Sequence, residues 1–259
     1  MCYDVAYQTK RTLEYARRRG YDPGTIEELE ERWERVKNLP PRFHASGFEH
    51  PHLPVFTNQD PWVPQSFYWG LIPFWVKDVK SALQIANRTL NARGETIFEK
   101  PSYRDAARYR RCLVMIDHFY EHHHHKGKTY PFLIKMKNDE PMLLGGLWSE
   151  WTNKENGEIV RSMSIVTTEG NELLAKIHNN PKLKGPRMPL LLPREIQEQW
   201  LAPVNSSQDI KMIQELVQAY PANDMEAYPV GRLRGKNAVG NLPEVLEPVN
   251  YPELSGVLD

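Results

Sequence analysis

Cysteine is scarce in this chain of 259 residues, which contains only Cys2 and Cys112. A disulfide framework like that of small secreted domains is therefore not expected. No apolar run is long enough to span a bilayer, and charges interrupt the first residues before any signal-peptide-like apolar stretch develops. These absences favour a protein of the reducing cytoplasm that has no contact with a membrane.

The sequence also has no excess of charge, with 33 Lys and Arg residues against 33 Asp and Glu residues. No global field draws the protein towards a polyanion, so any contact with nucleic acid has to come from a local basic groove. The chain is 40% hydrophobic, which is enough to bury one sizeable core, and neither a repeat nor a linker divides it. We expect a single domain over residues 1–259.

Strand candidates cluster in the middle of the chain, and helix candidates lie mostly towards its ends. This order predicts an α+β fold with a strongly curved, mainly antiparallel sheet or barrel flanked by helices. Residues 40–75 contain many prolines and aromatics, which predicts loops with short β-like runs between them. The predicted helices are Lys10–Arg19, Gly24–Leu39, Ser102–Arg108, Asn171–Ile177, Arg194–Leu201 and Ser207–Tyr220, and the predicted strands are Cys112–His122, Thr129–Met136, Met142–Thr152, Arg161–Thr168, Met188–Leu192 and Ala227–Val230.

The position of Cys2 gives it a chemistry that an internal cysteine lacks. Loss of Met1 would leave an amine and a thiol two carbons apart. The amine condenses with an aldehyde to an imine, and the thiol then closes a five-membered thiazolidine ring. An α-amino pKa of roughly 7.7 to 8.0 leaves a useful neutral fraction near pH 7. The alternative is an N-terminal nucleophile that cleaves peptides; because only Met1 precedes Cys2, self-cleavage is not required.

Several strings occur in a characteristic order after Cys2. They are NARGET at 91–96, EKPSYRDA, RRCLVMIDHFYE ending at Glu121, GLWSEW, SIVTTEGN, Ile177-His178, RMPLLLP and VGN at 239–241. Together they resemble the SOS-response-associated peptidase (SRAP) family along nearly the whole chain. The resemblance implies a protein that recognises abasic sites in single-stranded or junction DNA and crosslinks to them through a terminal cysteine. The family name also implies a peptidase that releases a propeptide.

The resemblance implies four catalytic residues, namely Cys2, Asn91, Glu121 and His178. Asn91 would hold the terminal amine or the opened sugar by neutral hydrogen bonds. Glu121 ends an apolar strand, where desolvation would raise its pKa and suit it to proton transfer. His178, with a pKa near the working pH, would protonate the ring oxygen of the sugar. Outside the family, the three would be a turn residue, a solvated carboxylate and a capping or core histidine.

For DNA binding, the resemblance points to Arg93 and Arg187 as phosphate ligands. Trp75, in the string YWGLIPFW at 68–75, would wedge against bases beside the lesion. Surface ion pairs and an ordinary aromatic cluster are the alternative interpretations, the latter above all for Trp69. No cofactor is expected and protein partners are not predicted; the protein would reach the nucleoid only when bound to DNA.

The chain departs from the family pattern at three places. The usual Cys-Gly-Arg start is Cys2-Tyr3-Asp4 here, so one basic contact beside the nucleophile is missing. The usual Asn-x-Ala-Pro is replaced by His44-Ala45-Ser46-Gly47. Glu121 is followed by four histidines, 122–125, and then by Lys126-Gly127-Lys128. Consecutive residues on a strand face opposite ways, so we expect no metal and interpret this segment as a basic hairpin tip near DNA.

Two other functions remain open at this stage. One is an autoproteolytic cysteine peptidase or N-terminal-nucleophile hydrolase. The other is a noncovalent reader of damaged or modified DNA, in which Cys2 plays no part. A metal-dependent hydrolase that uses the histidine tract is the least favoured.

Overall fold

The computed structural model describes residues 2–7, 41–62, 64–182 and 184–256. They form an α+β fold built on two sheets with flanking helices, as the sequence predicts. The two predicted helices Lys10–Arg19 and Gly24–Leu39 lie outside the described residues. The helices are α1 Val79–Ala86, α2 Arg104–Tyr109, α3 Glu172–Ile177, α4 Arg194–Leu201 and α5 Ser207–Glu215.

Within the described residues, twelve strands make up the two sheets. In chain order they are β1 Asp4–Tyr7, β2 Arg42–Ser46, β3 His52–Thr57, β4 Gln65–Trp69, β5 Asn91–Arg93, β6 Arg111–Ile116, β7 His118–His125, β8 Lys128–Met136, β9 Met142–Thr152, β10 Ile159–Glu169, β11 Arg187–Pro189 and β12 Met225–Pro229. Five of them form one sheet in the order β12-β8-β7-β1-β2. The first strand of the chain is therefore an inner strand, antiparallel to both of its neighbours.

The second sheet has seven strands and curves until it closes. Strands β10, β4, β3, β6 and β9 pair in that order, and β9 pairs again with β10, which completes a five-strand ring. The long strand β10 also carries β5, in parallel, and β11, antiparallel, at its far end. The ring leaves no open edge among its own strands, and β10 brings two further chain segments together.

Strand β6 shows why the sequence folds this way, because every one of its residues is buried. Val114 and Ile116 face the main core, together with residues of both sheets. Leu113 and Met115 alternate with them and pack in a second cluster that includes Trp200 of α4. A strand that is covered on both faces has a continuous apolar sequence, because alternate residues pack into two different clusters.

Most predicted elements of the described region are confirmed; the helix predicted over Ser207–Tyr220 ends at Glu215, the strand predicted over Met188–Leu192 ends at Pro189, and two further differences are larger. The predicted strand Cys112–His122 is wrong as one element, because it divides into β6 and β7 at Asp117, whose N–H donates to the carbonyl of Ala6 at 2.8 Å. The Pro-rich region contains the short strands β2, β3 and β4 between its loops, as predicted. Helix α1 was not predicted; it begins after Asp78, whose side chain accepts a hydrogen bond from the Ser81 N–H.

In the described part of the chain, no helix combines the length and the apolar character that a bilayer crossing requires.

Candidate functional site

Cys2 lies two residues before the start of the inner strand β1. The strand pairs in register with β7, so that Asp4 lies opposite Tyr120. The side chain of Cys2 is fully buried, and its Sγ makes a weak hydrogen bond of 3.7 Å to the carbonyl of Asp4. Burial raises the pKa of the thiol, and the nearby carboxylate of Glu121 raises it further. As the second residue of an intact chain, Cys2 therefore holds an unreactive thiol.

Asn91 joins the second sheet to this chain end. It begins β5 and pairs with Ile165 of β10. Its Nδ2 donates a hydrogen bond of 2.7 Å to the carbonyl of Cys2, and its own carbonyl accepts one from the Tyr103 hydroxyl at 3.0 Å. Its Oδ1 is buried, and no described residue donates to it. A buried acceptor of this kind calls for a donor, and the position beside Cys2 suits an ammonium or hydroxyl group of a ligand.

Glu121 and His178 face each other from different elements. Glu121 lies on β7, and His178 caps the C-terminus of α3; the Nδ1 to Oε2 distance is 3.6 Å, too long for a hydrogen bond. Oε1 of Glu121 accepts from the His122 N–H at 3.2 Å. The Nδ1 of His178 also lies 3.2 Å from the backbone nitrogen of Arg187, which fixes the orientation of the ring.

Burial shifts the pKa values of this pair in opposite directions. It raises the pKa of Glu121, as the sequence predicts, and lowers the pKa of His178 to about 4. The expectation that His178 titrates near neutral pH is therefore wrong, because its buried ring is neutral there. Both shifts favour the uncharged forms, so a proton is favoured on the carboxyl group and disfavoured on the imidazole.

A cavity of about 710 Å³ opens beside these residues. Glu121 and His178 line it together with Tyr3, the residue next to Cys2. Most of the charged side chains around it are basic, and its remaining lining comes from the β7–β8 hairpin and from the C-terminal region of the chain. Besides His178, the cationic and imidazole side chains that line it are His122, His124, Lys128, Arg232 and Arg234. The cavity therefore combines a buried carboxyl group and a buried imidazole with several basic side chains in a chain of zero net charge.

Arg93 and Arg187 lie at the same end of β10. Arg93, in β5, pairs with Thr167 of β10, and Arg187 begins β11 on the opposite side of β10. The guanidinium of Arg187 binds both carboxylate oxygens of Glu95, at 2.6 and 3.0 Å, and donates to the carbonyl of Thr167 at 2.8 Å. Arg93 is exposed, and its charge also acts on Glu95. Neither arginine lines the cavity, and a phosphate would compete with Glu95 for Arg187.

The two tryptophans of the YWGLIPFW string have different surroundings. Trp69 is 0% exposed, and its indole N–H donates to the carbonyl of Leu90 at 2.8 Å, so it is a core residue. The chain then turns at Gly70, whose φ of +130° is accessible to glycine, and a Cβ there would lie 2.9 Å from the Ala86 carbonyl. Beyond the turn, Trp75 is 49% exposed, as a wedge against bases requires.

The histidine tract divides between the core and the cavity. His123 is buried against the Phe132 ring, with its Nδ1 3.1 Å from the carbonyl of Lys176. The backbone of His124 exchanges two hydrogen bonds with the side chain of Asn179, at 2.7 and 2.9 Å. In the described region, no three His, Cys, Asp or Glu side chains are grouped as a metal site would need. The role of the hairpin tip near DNA stays a prediction.

A charged cluster close to Cys2 has no signal in the local sequence. Asp4 is buried and accepts hydrogen bonds from Arg234 Nη2 at 2.6 Å and from His44 Nε2 at 2.8 Å. Burial alone would raise the pKa of Asp4, but the bond from His44 and the charge of Arg234 lower it. A guanidinium thus pairs with the acidic side chain of residue 4, two positions after Cys2. No local pattern connects two residues separated by 230 positions.

A family model described as SOS response associated peptidase (SRAP) matches residues 1–237. The chain is 39% identical over 180 residues to abasic site processing protein YoqW of Bacillus subtilis, covering 69% of this chain and 74% of that protein. It is 29% identical over 205 residues to abasic site processing protein HMCES of Gallus gallus, covering 70% of this chain and 56% of that protein.

A solved structure of a protein from Bacteroides thetaiotaomicron superposes with a TM-score of 0.78 at 30% identity, covering 96% of this chain and all of that one. The family match extends over most of the sequence, and both bacterial relatives reach 30% identity or more over more than two thirds of the chain. The chain therefore belongs to the SOS response associated peptidase (SRAP) family.

Proposed function

We propose that this protein binds abasic DNA and crosslinks to it through Cys2, once the residue has become the chain terminus. The observation that carries the proposal is the convergence of two elements on this chain end. The Asn91 amide donates to the Cys2 carbonyl at 2.7 Å, and the charge of Glu121 acts on the Cys2 thiol. The relatives named abasic site processing proteins support the same conclusion.

The proposed reaction has two bond-forming steps after the peptide bond ahead of Cys2 is hydrolysed. The new α-amine adds to the C1 aldehyde of the ring-opened sugar, and loss of one water gives an imine. The thiol sulfur then bonds to C1 as the imine nitrogen takes up the thiol proton, which closes the thiazolidine. The net change is one C–N bond and one C–S bond formed and one water released, so no oxidant, reductant or metal is needed.

Proton transfers in these steps suit the pKa shifts of the cavity pair. Glu121, with a raised pKa, donates a proton to the departing hydroxyl and then relays the thiol proton to the imine nitrogen. His178, neutral near pH 7 because burial lowers its pKa to about 4, accepts a proton from a sugar hydroxyl as the ring opens. The buried Oδ1 of Asn91 accepts from the ammonium or from a sugar hydroxyl and so orients the amine.

A single strand, or the single-stranded part of a junction, is the DNA that this arrangement fits. Trp75 is 49% exposed, and an exposed indole can stack on an unpaired or unstacked base. Arg93 and Arg187 would hold phosphates at the end of β10. A duplex would have to give up stacking around the lesion before its sugar could enter the cavity.

The experiment is intact-mass spectrometry of the processed protein after incubation with an oligonucleotide made abasic by uracil removal. The expected result is an adduct that equals the sum of both masses less one water. Cys2→Ala should bind without an adduct, and Cys112→Ala is the matched control that should crosslink normally. Equal binding by protein and Cys2→Ala with no adduct in either would instead favour a noncovalent reader.

A further inference from the structure

Tyr3, Phe48 and Arg234 form a stack next to Cys2, which we call the stacking surface. The rings of Tyr3 and Phe48 lie 5.0 Å apart at a tilt of 35°. The guanidinium carbon of Arg234 lies 5.8 Å from the centre of the Phe48 ring. Phe48 is 50% exposed, so part of its ring remains accessible to a ligand. None of these three residues has a role in the reaction proposed above.

The backbone and the buried Asp4 hold this stack in place. Phe48 lies in the short 3-10 helix Gly47–Glu49, and the Gly47 N–H donates to the carbonyl of Tyr3 at 2.7 Å. Arg234 binds Asp4 Oδ1 at 2.6 Å and Ser46 Oγ at 3.1 Å. Its side chain is still 48% exposed, so one side of the guanidinium is anchored and the other faces solvent. The surface is ordered before any ligand arrives.

The stacking surface borders the cavity that holds Glu121 and His178. Tyr3 and Arg234 are themselves part of the cavity lining, together with Lys128 and Arg232. A carboxylate in the same lining, that of Glu253, is hydrogen bonded to the Tyr130 hydroxyl at 2.7 Å. The charge beside the aromatic face is therefore positive on balance, which suits an anionic ligand that also presents a flat ring.

We propose that this surface binds the nucleotide next to the abasic site, with its base against Phe48 and its phosphate at Arg234. The proposal rests on the proposed function and goes beyond it, since it assigns a place to an intact neighbour of the lesion. An unpaired base offers the flat ring, and the adjoining phosphate offers the negative charge. The lesion sugar lacks a base, so the neighbour supplies the stacking energy that anchors it beside Cys2.

The test uses single-stranded oligonucleotides with a central tetrahydrofuran, a closed abasic analogue that has no aldehyde and cannot crosslink. Binding is measured by fluorescence anisotropy with the normal base beside the analogue, and again with that base removed on the 5′ or the 3′ side. We expect Phe48→Ala to weaken binding about tenfold when the base is present. Removal of the base on one side should weaken binding by a similar factor in the unaltered protein and hardly at all in Phe48→Ala.

Two further variants separate stacking from general damage to the protein. Phe48→Trp should retain the affinity, because it keeps an aromatic face. Tyr109→Ala removes an exposed ring outside the cavity lining and should leave the affinity unchanged. Arg234→Gln should reduce the slope of log affinity against log salt by about 0.7 for a phosphate contact on a single strand. Thermal melting confirms that each variant is folded.

The outcomes distinguish the two proposals. Removal of the neighbouring base could instead reduce the affinity of the unaltered protein and of Phe48→Ala equally, on both sides of the lesion. That result would overturn the proposed stacking surface. Crosslinking of aldehyde-bearing DNA would still be measurable in that case. If crosslinking fails while Phe48 and the neighbouring base show coupled losses, the covalent proposal is wrong and the stacking surface stands.

Discussion

Arg187 and Glu95 form a two-point ion pair, with nitrogen to oxygen distances of 2.6 and 3.0 Å. The pair restrains one of the two arginines expected to hold phosphate, and the charge of Arg93 acts on the same carboxylate. In the DNA-free protein, Glu95 therefore occupies the position that a phosphate would take. Its carboxylate keeps the arginine oriented and opposes binding of an anion at the same time.

Removal of this carboxylate charge should strengthen DNA binding. We expect Glu95→Gln to raise the affinity for single-stranded DNA about threefold to tenfold at low salt, since one nearby negative charge is lost. Titration of a labelled oligonucleotide measures this. The matched control is Glu150→Gln, whose carboxylate pairs with Arg161 at 2.9 Å outside the cavity. A similar gain in both variants would mean that only net charge matters and that Arg187 is a structural residue.

The Asn91 amide should matter for rate more than for folding. Asn91→Ala removes the 2.7 Å hydrogen bond to Cys2, and we expect the crosslinking rate to fall about tenfold, as the loss of one orienting hydrogen bond implies. Single-turnover kinetics on abasic DNA are the measurement. Asn58→Ala is the control, because Asn58 also bridges separate segments, to Trp148 and Tyr109, but its side chain bonds to neither Cys2 nor β1. Equal rates in Asn91→Ala and the unaltered protein would contradict the assigned role.

His178 should make the stability of the protein sensitive to acid. Its pKa in the folded state is lowered to about 4 from an ordinary value of 6.5, so the unfolded chain binds the proton more readily. Its contribution to stability is present above pH 6.5 and is lost as the pH falls towards 4. We expect the free energy of unfolding to drop by roughly 1 to 3 kcal/mol more in the unaltered protein than in His178→Gln over this range.

Urea unfolding at pH 7 and at pH 4 measures that difference. The comparison with His178→Gln cancels the contributions of His122 and His123, whose pKa values are also lowered by burial. Parallel stability curves for the two proteins would show that His178 does not titrate as its burial requires.

Substitution of the two tryptophans of the YWGLIPFW string should affect different properties, DNA binding for Trp75 and stability of the fold for Trp69. Trp75→Ala should weaken binding of single-stranded DNA by about 1 to 3 kcal/mol with little change in melting temperature, because the indole is exposed. Trp69→Ala should destabilise the fold by about 3 to 5 kcal/mol, because that ring is fully buried. Anisotropy and thermal melting of both variants check this pair of outcomes. Normal DNA binding by Trp75→Ala would remove it from the interface.

The sequence predicts those parts of the fold that local pattern determines. Strand β9 and helix α4 have the predicted bounds, Met142–Thr152 and Arg194–Leu201, since long periodic segments leave little ambiguity. The break at Asp117 could not be predicted, because its partner is the backbone of Ala6 in another strand. Closure of the five-strand ring also depends on pairings between distant segments, which no local pattern specifies.

The candidate site was predicted as a set of residues and not as a set of contacts. Order along the chain and family resemblance named Asn91, Glu121 and His178. Burial of His178, which decides its charge, depends on the packing of α3 against the sheet and had no local signal. The contact between Asp4 and Arg234 is equally hidden, because it joins the first strand to the C-terminal region.

The inner position of β1 has a consequence for the order of events during synthesis. For the proposed crosslink, whatever precedes Cys2 has to be removed while an aminopeptidase still has access to it, and Cys2 is fully buried once β1 has paired with β2 and β7. Strand β7 follows about 120 residues later, which at ribosomal speed is a delay of roughly 6 to 24 seconds. The nascent chain thus has a natural interval for trimming, and a chain that misses it folds around a blocked amine.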